Sequence, residues 1–254
     1  MAEQPRVWTA ALLVIGDEIL SGRTQDKNVA QVATWLNNQG IRLGEVRIVP
    51  DDIDRIAGNV NELRSVHDYL FTTGGIGPTH DDITVDAMAQ AFGVPAVVHP
   101  AARKLLEDYY RDRPGGLTEA RLRMARVPQG AELIVNAASG APGVRMENVF
   151  ILAGVPYIAA TMLDALTGKL EGGRPVVSVT VGARAAESDV ADMLRETEEA
   201  NPGVAIGSYP FFKDGGYGAN FVIRSEDGEL AERTGEQLAA RLREAGYEPV
   251  DGGL

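Results

Sequence analysis

Cysteine is absent from the 254 residues. That excludes a disulfide scaffold, a cysteine nucleophile and any thiolate metal site. Histidine is scarce. His67, His80 and His99 are the only three, which argues against a histidine-rich zinc site. Long apolar runs are missing too. Ala10 to Ile15 is the longest near the start, far short of a membrane span. It ends at Gly16-Asp17-Glu18 instead of a signal-peptide cleavage pattern. The expectation is a cytoplasmic protein with no membrane partner. Positive charge is in deficit: 24 Lys and Arg against 36 Asp and Glu leave −12. The basic footprint of nucleic-acid binding is therefore lacking, and no nucleic-acid partner is expected. Such a chain repels phosphate-rich ligands unless something inverts the field locally. What is present is ordinary for a globular protein: 44% hydrophobic and 24% charged residues, enough for a core in one large or two modest domains.

The charge is uneven. Residues 1–170 hold 16 basic and 20 acidic side chains, and residues 171–254 hold 8 and 16. Between them lies the glycine-rich connector Lys169-Leu170-Glu171-Gly172-Gly173-Arg174-Pro175, which predicts a boundary between domains 1–170 and 171–254. The first domain alternates strands and helices. Apolar runs at Leu12–Ile15, Val46–Val49, Tyr69–Thr73 and Val149–Leu152 read as strands. Val29, Val32 and Leu36, then Ile53, Ile56, Val60 and Leu63, then Val85, Met88 and Phe92 recur at helical period. Further helices are expected near Ala101–Tyr110, Thr118–Ala125 and Tyr157–Leu166. This predicts an α/β domain with a mostly parallel sheet and helices on both faces. The second domain has an alternating strand at Val177, Val179 and Val181 and a polar helix over Ser188–Ala200. Strands at Val204–Tyr209 and Ala219–Arg224 follow, then a helix with Leu238, Leu242 and Ala245 on one face. That order predicts a small α+β domain, ferredoxin-like in layout.

Three acidic pairs fall just after strands: Asp17-Glu18, Asp51-Asp52 and Asp81-Asp82. In a parallel sheet the carboxyl ends of the strands share one edge, where ligands bind. Asp is also a favoured helix N-cap, and acids complement the first turn of a helix. Asp51-Asp52, directly ahead of a helix, suits that role best. Asp17-Glu18 suits it least. Carboxylates gathered at one edge repel one another unless a cation or strong donors compensate. A hard divalent ion held by one or two carboxylates and by phosphate oxygens fits that need.

The segment Thr72-Thr73-Gly74-Gly75-Ile76-Gly77 supplies donors. Gly74, Gly75 and Gly77 permit a tight turn and close backbone approach to an anion, and Thr72 and Thr73 add hydroxyls for phosphate or ribose. No Lys follows, so the loop is not a Walker motif. Two further small-residue turns flank the late strand: Ser139-Gly140-Ala141-Pro142-Gly143 before it and Ala153-Gly154-Val155-Pro156 after it. The second opens a helix with Pro156 at an early position. His80 is either an acid–base or phosphate contact or plain polar surface. Trp35 reads as packing. Phe211-Phe212-Lys213-Asp214-Gly215-Gly216-Tyr217 is either a flap over a ligand or a hairpin whose aromatics pack on the small domain.

Taken together, several segments resemble the molybdopterin-binding fold family. They are Gly16-Asp17-Glu18-Ile19-Leu20-Ser21-Gly22 with Asp26 and Asn28, the run Thr72 to Thr84, the loop Gly140 to Gly143 and the turn Gly154-Val155-Pro156. The chain is most similar to the N-terminal part of CinA-like (competence/damage-inducible) proteins and to the matching part of FAD synthases. The resemblance implies a three-layer α/β domain that binds a phosphorylated pterin or nucleotide at the edge inferred above. It assigns Asp51 and Asp82 as the functional carboxylates, and it implies a homo-oligomer. In CinA-like proteins the module resembles a metal-dependent pyrophosphatase acting on ADP-ribose. In FAD synthases it is linked to FAD hydrolysis. Two positions depart from the CinA-like pattern. Ala153 stands for a Pro, and Ile158 stands where a Glu would be. The departures move the match toward the FAD-synthase-like branch. No room remains for an amidase or adenylyltransferase domain, so neither activity is expected.

The expectation is a nucleotide pyrophosphatase dependent on Mg, Mn or Co, acting on an ADP-ribose-like or FAD-like substrate. Asp51, Asp81 and Asp82 are the catalytic candidates, and Asp17, Glu18 and Asp82 the metal candidates. Thr73, Gly74, Gly75, Gly77, Ser139, Gly140, Gly143, Gly154 and Pro156 are the candidates for substrate binding. The alternatives are a binding protein without turnover and a role in molybdenum cofactor biosynthesis.

Overall fold

The computed structural model describes residues 6–213 and 215–254. The chain divides into two compact units, the first ending at Gly173 and the second running from Arg174 to Leu254. The first unit opens with β1 (Trp8–Ile15), α1 (Asp17–Leu20), α2 (Asn28–Asn38), β2 (Ile41–Val49), α3 (Ile53–Val66), β3 (Tyr69–Thr73) and α4 (Thr84–Phe92). There follow β4 (Ala96–Val98), α5 (Pro100–Tyr110), α6 (Glu119–Leu122), a 3-10 turn (Arg123–Ala125) and β5 (Arg126–Pro128). The unit closes with β6 (Glu132–Ile134), β7 (Gly143–Met146), β8 (Val149–Leu152) and α7 (Pro156–Asp164).

Its six-stranded sheet has the order β2-β1-β3-β8-β7-β6. The first four strands run parallel, and β7 and β6 add an antiparallel border. The run Ala10–Ile15 is apolar at every position because both of its faces are covered. Ala11, Leu13 and Ile15 point into a core with Ile56 and Val60 of α3 and Met88 of α4. Ala10, Leu12 and Val14 point into a second core with Val32 and Leu36 of α2 and Met162 and Leu163 of α7. This is the three-layer α/β architecture that the alternating pattern predicts. In the second core Phe71 stacks on Phe150 at 4.9 Å between ring centres and meets Trp35 edge-on at 5.8 Å. Trp35 also donates from Nε1 to Thr167 Oγ1 at 3.1 Å, so it is a packing residue.

Some elements differ from the sequence expectation. β2 begins at Ile41, five residues before Val46, and is an edge strand on which Val46 and Ile48 stay exposed. The segment Thr118–Ala125 is not one helix. Thr118 caps a single turn by accepting from the Arg121 N–H at 3.2 Å, and the chain then tightens into the 3-10 turn.

The second unit comprises β9 (Val177–Ala183), α8 (Glu187–Ala200), β10 (Ala205–Lys213), β11 (Gly216–Ser225), α9 (Gly228–Glu244) and β12 (Val250–Asp251). Its sheet order, β10-β11-β9-β12, with helices between strands, is the ferredoxin-like layout. Val181, Ala183, Phe221 and Ile223 face Val190 of α8 and Leu238 and Leu242 of α9. Ala245 does not share that face. It is the C-cap of α9 and is exposed. The aromatic stretch is a hairpin, with Phe212 paired to Tyr217 across β10 and β11. Both rings stay mostly exposed and lie 4.8 Å apart, packed on each other. Asp214, between them in the chain, lies outside the described residues. No helix among the described residues is long and apolar enough to cross a membrane.

Phe71 has no exposed surface. Replacing it by Ala removes a ring from a filled site, and Phe71→Ala should cost about 3–5 kcal/mol. Urea denaturation of the two proteins side by side measures that loss.

Candidate functional site

The turns that leave the parallel strands at their carboxyl ends converge on Gly74. The turns after β1 and β8 lead to the face carrying α2 and α7, and those after β2 and β3 lead to the face carrying α3 and α4. Such divergence opens a crevice at the sheet edge. Gly74, at φ +105°, has no room for a side chain: a Cβ would stand 2.1 Å from the Ile15 carbonyl oxygen. A Cβ on Gly154 would stand 3.1 Å from Gly74 Cα. The strand ends therefore meet backbone to backbone. Gly75, at φ +66°, is held by Thr84, whose N–H donates to the Gly75 carbonyl at 3.0 Å and whose hydroxyl donates to the Gly74 carbonyl at 2.9 Å.

The acidic pairs separate into different tasks. Asp52 is the N-cap of α3 and accepts from the Arg55 N–H at 2.8 Å. Asp51 instead turns back toward β1 and accepts the Asp17 N–H at 3.0 Å, tying two strand-end turns together. Burial pushes the Asp51 carboxyl above its usual value, and the negative charges of Asp17, Glu18 and Asp81 push the same way against that hydrogen bond. Asp17 and Glu18 form the exposed first turn of α1. Asp82 closes the glycine loop by accepting from the Thr79 N–H at 2.8 Å and from the Thr79 hydroxyl. Asp81 and His80 point outward, with side chains 68% and 97% exposed and 4.0 Å apart.

Asp82 shares a cleft with Gly75, Ile76 and Gly77 of the loop and Pro142 of the later turn. Val85 and Val144 form its apolar wall, and Arg123, Met124 and Arg126 close it. Among the described residues the N–H groups of Gly75, Ile76 and Gly77 donate no hydrogen bond. Arg126 is held by both oxygens of Asp86. Of the later loop, Pro142 is the residue in the cleft. Ser139 accepts from Asn136 Nδ2 at 2.7 Å, Gly140 packs under the Tyr109 ring, and Gly143 starts β7 against Met162. Pro156 opens α7, and its carbonyl accepts from Gln31 Nε2 at 3.1 Å.

Asn28 and Arg123, absent from the sequence-derived site, belong at this edge. Asn28 is buried and donates from Nδ2 to the Gly154 carbonyl at 2.8 Å, while its Oδ1 has no partner. The hydroxyls of Thr72 and Thr73 are likewise buried and unpartnered. Unpaired buried polar atoms are uncommon and costly, and a ligand or water satisfies them. Asn28 is visible in the sequence only as part of the motif after Gly16-Asp17-Glu18. Arg123 carries no local sequence signal at all.

The same geometry limits what can hold a metal ion. Among the described residues no group of three His, Asp or Glu side chains is placed to hold one. A cage of protein ligands does not fit this edge. An ion shared with phosphate oxygens asks for only one or two carboxylates.

Comparisons with known proteins match a family to each unit. Residues 11–172 match the family described as "probable molybdopterin binding domain", and residues 175–251 match the FAD synthase middle domain. A Thermococcus kodakarensis protein is 35% identical over 246 residues, covering 91% of this chain and 96% of that one. A probable FAD synthase of Caenorhabditis elegans is 32% identical over 94% of this chain and 50% of its own length. A CinA-like protein of Citrifermentans bemidjiense is 36% identical over 72% of this chain and 46% of its own. The crystal structure of CinA from Thermoplasma acidophilum superposes with a TM-score of 0.60 at 31% identity, over 64% of this chain and 98% of that one.

The raised Asp51 carboxyl sets a sign for stability. A group protonated more readily folded than unfolded contributes stability below its unfolded value, near 3.8, and loses it as pH rises through the folded value. At neutral pH, ionised Asp51 therefore weakens the fold. Asp51→Asn keeps an acceptor for the Asp17 N–H and removes the charge. Partial exposure damps the effect, so its melting temperature should exceed that of the parent by about 1–2 °C at pH 7. The gap should close below about pH 4. Thermal melts across that range, monitored by circular dichroism, check both the sign and the window.

Proposed function

The chain belongs to the molybdopterin-binding domain family, with an FAD synthase middle domain behind it, and on that premise we propose that the first unit binds a phosphorylated nucleotide or pterin and hydrolyses a diphosphate bond of an ADP-ribose-like or FAD-like dinucleotide. The observation that carries this is the trio of N–H groups at Gly75, Ile76 and Gly77 that donate no hydrogen bond among the described residues; all three residues line a cleft with Asp82 at the sheet edge. Free backbone donors on a glycine turn suit phosphate oxygens. Asn28 and Thr73, with unpaired buried atoms, hold the uncharged part of the ligand.

In the proposed reaction a water attacks one phosphorus of the diphosphate. The P–O bond to the bridging oxygen breaks, and two monophosphates leave. Asp51 accepts the proton of the water, because its raised carboxyl makes it the better base of the set. Asp82, locked by Thr79, orients the diphosphate against the loop. Asp17, Glu18 and Asp81 keep the edge negative and favour a diphosphate that arrives as its magnesium, manganese or cobalt salt. Such an ion, when bound, neutralises charge on the phosphate oxygens. Association into a homo-oligomer is part of the same proposal, and light scattering reads it.

A second reading, binding without turnover, is favoured by Ile158. This residue packs against the α2/α7 core at the position where CinA-like proteins would place a Glu, so one carboxylate is missing.

The test incubates the protein with ADP-ribose, FAD and related diphosphates, with Mg, Mn or Co or with EDTA, and separates the products by chromatography. The expected result is AMP release with a metal present and none with EDTA. Asp51→Asn combined with Asp82→Asn should lower turnover by about 100-fold or more. Tight binding without hydrolysis under every metal refutes the enzyme and leaves the binding protein. Hydrolysis that survives the double substitution refutes the site.

A further inference from the structure

The acidic chain repels anions, yet the cleft at the glycine loop offers donors suited to them. Something must invert the field there. The charged side chains around the cleft can be taken in turn. Arg126 is neutralised by Asp86 in a two-point ion pair. Arg121, two residues before the 3-10 turn, is directed away. Its Nη1 donates to the Pro114 carbonyl at 3.3 Å and to the Gly116 carbonyl, and its guanidinium lies 4.3 Å from the centre of the Tyr110 ring. Arg103 on α5 and Arg111, its C-cap, are paired with Glu107 and Asp108. Arg123 is different. It lines the cleft with Gly75, Gly77 and Asp82, is half-buried, and makes no ion pair or side-chain hydrogen bond among the described residues.

A half-buried guanidinium without a counter-ion, in a chain with twelve excess negative charges, is an unsatisfied site. The three loop N–H groups that share its cleft donate no hydrogen bond among the described residues either. Both lacks are met by one group, a phosphate whose oxygens take the backbone donors on one side and the planar fork of Arg123 on the other. We propose that Arg123 is the anion clamp of this site. It fixes the phosphate end of the ligand and reverses the local field that the rest of the edge makes negative. The 3-10 turn serves that role. It follows α6 directly and sets Arg123 over the loop, while Arg121 braces the preceding turn through its carbonyls. Asp82 lines the same cleft and repels the phosphate, which favours its placement on the side of Arg123 and the loop amides.

This inference rests on the nucleotide-binding reading of the cleft, and the experiment separates the two. Isothermal titration at low salt measures ADP, inorganic pyrophosphate and adenosine against the parent, Arg123→Ala, Arg123→Gln and Arg123→Lys. Arg123→Ala and Arg123→Gln should weaken ADP and pyrophosphate by about 10- to 100-fold. They should leave adenosine within about twofold, and Arg123→Lys should fall between parent and Ala. Added salt should weaken ADP binding to the parent more steeply than to Arg123→Gln. Melting curves confirm that each variant is folded, and Arg123→Gln, close in shape, stands in if Arg123→Ala is not. Parent binding of ADP that persists undiminished in folded Arg123→Gln overturns the clamp and leaves the site standing. Failure of the parent to bind either ADP or pyrophosphate overturns the site and the clamp with it.

Discussion

At Gly74 there is space for a hydrogen and for nothing larger. The Ile15 carbonyl of β1 lies against one side and the Gly154 turn after β8 against another. Three parallel strands can end together there only because the central turn carries no side chain. The consequences spread outward. Thr84 must hold the carbonyls of Gly74 and Gly75, because the turn has no side chains of its own to secure it. Asn28 reaches across from the start of α2 to the Gly154 carbonyl. Asp51 ties the turn after β2 to the Asp17 N–H after β1. The loop beyond Gly74 then leaves with its next N–H groups free. A steric condition at one residue thus produces a polar, donor-rich edge.

That edge is electrically divided. On the side of β1 and β2 lie Asp17, Glu18 and Asp51, and burial first, with the neighbouring carboxylates adding to it, raises the Asp51 carboxyl. On the side of α4 and the 3-10 turn, Arg123 and the free amides face the loop. The glycine loop runs between these two environments. A ligand with a diphosphate at one end and a hydroxyl-rich or heterocyclic group at the other matches such a gradient. A uniformly anionic ligand does not. Field and geometry both support the proposed ligand class, although either one alone would admit many more.

Much of the fold is legible from residue pattern because parallel strands covered on both faces require unbroken apolar runs. Ala10–Ile15 and Val149–Leu152 show this plainly. The glycine loop is legible for the same kind of reason, since a turn with two positive φ values selects glycine. The division of work within each acidic pair is not legible. Asp51 and Asp52 are adjacent and chemically alike, and only the path of the chain decides that one caps α3 while the other reaches β1. Arg123 is invisible for a deeper reason. Its role follows from what its neighbours do: Asp86 takes Arg126, and two carbonyls take Arg121. Such pairing is a property of three-dimensional proximity, and no spacing encodes it.

Ile158 joins these observations. A carboxylate at that position would add to the charge at an edge where burial and neighbouring carboxylates already raise the Asp51 carboxyl. An isoleucine there packs into the α2/α7 core and lowers the acid count. With fewer carboxylates, less positive charge is needed to admit a phosphate, and a single unpaired guanidinium becomes sufficient. The loss at Ile158 and the free Arg123 are thus parts of one electrostatic balance. Restoring a Glu at that position would demand a second cation, and the described residues at the cleft offer Arg126 only by breaking its pair with Asp86. The balance accounts for the proposed phosphate site in so acidic a chain, at the stretch of the edge where the carboxylates give way to amides and a guanidinium.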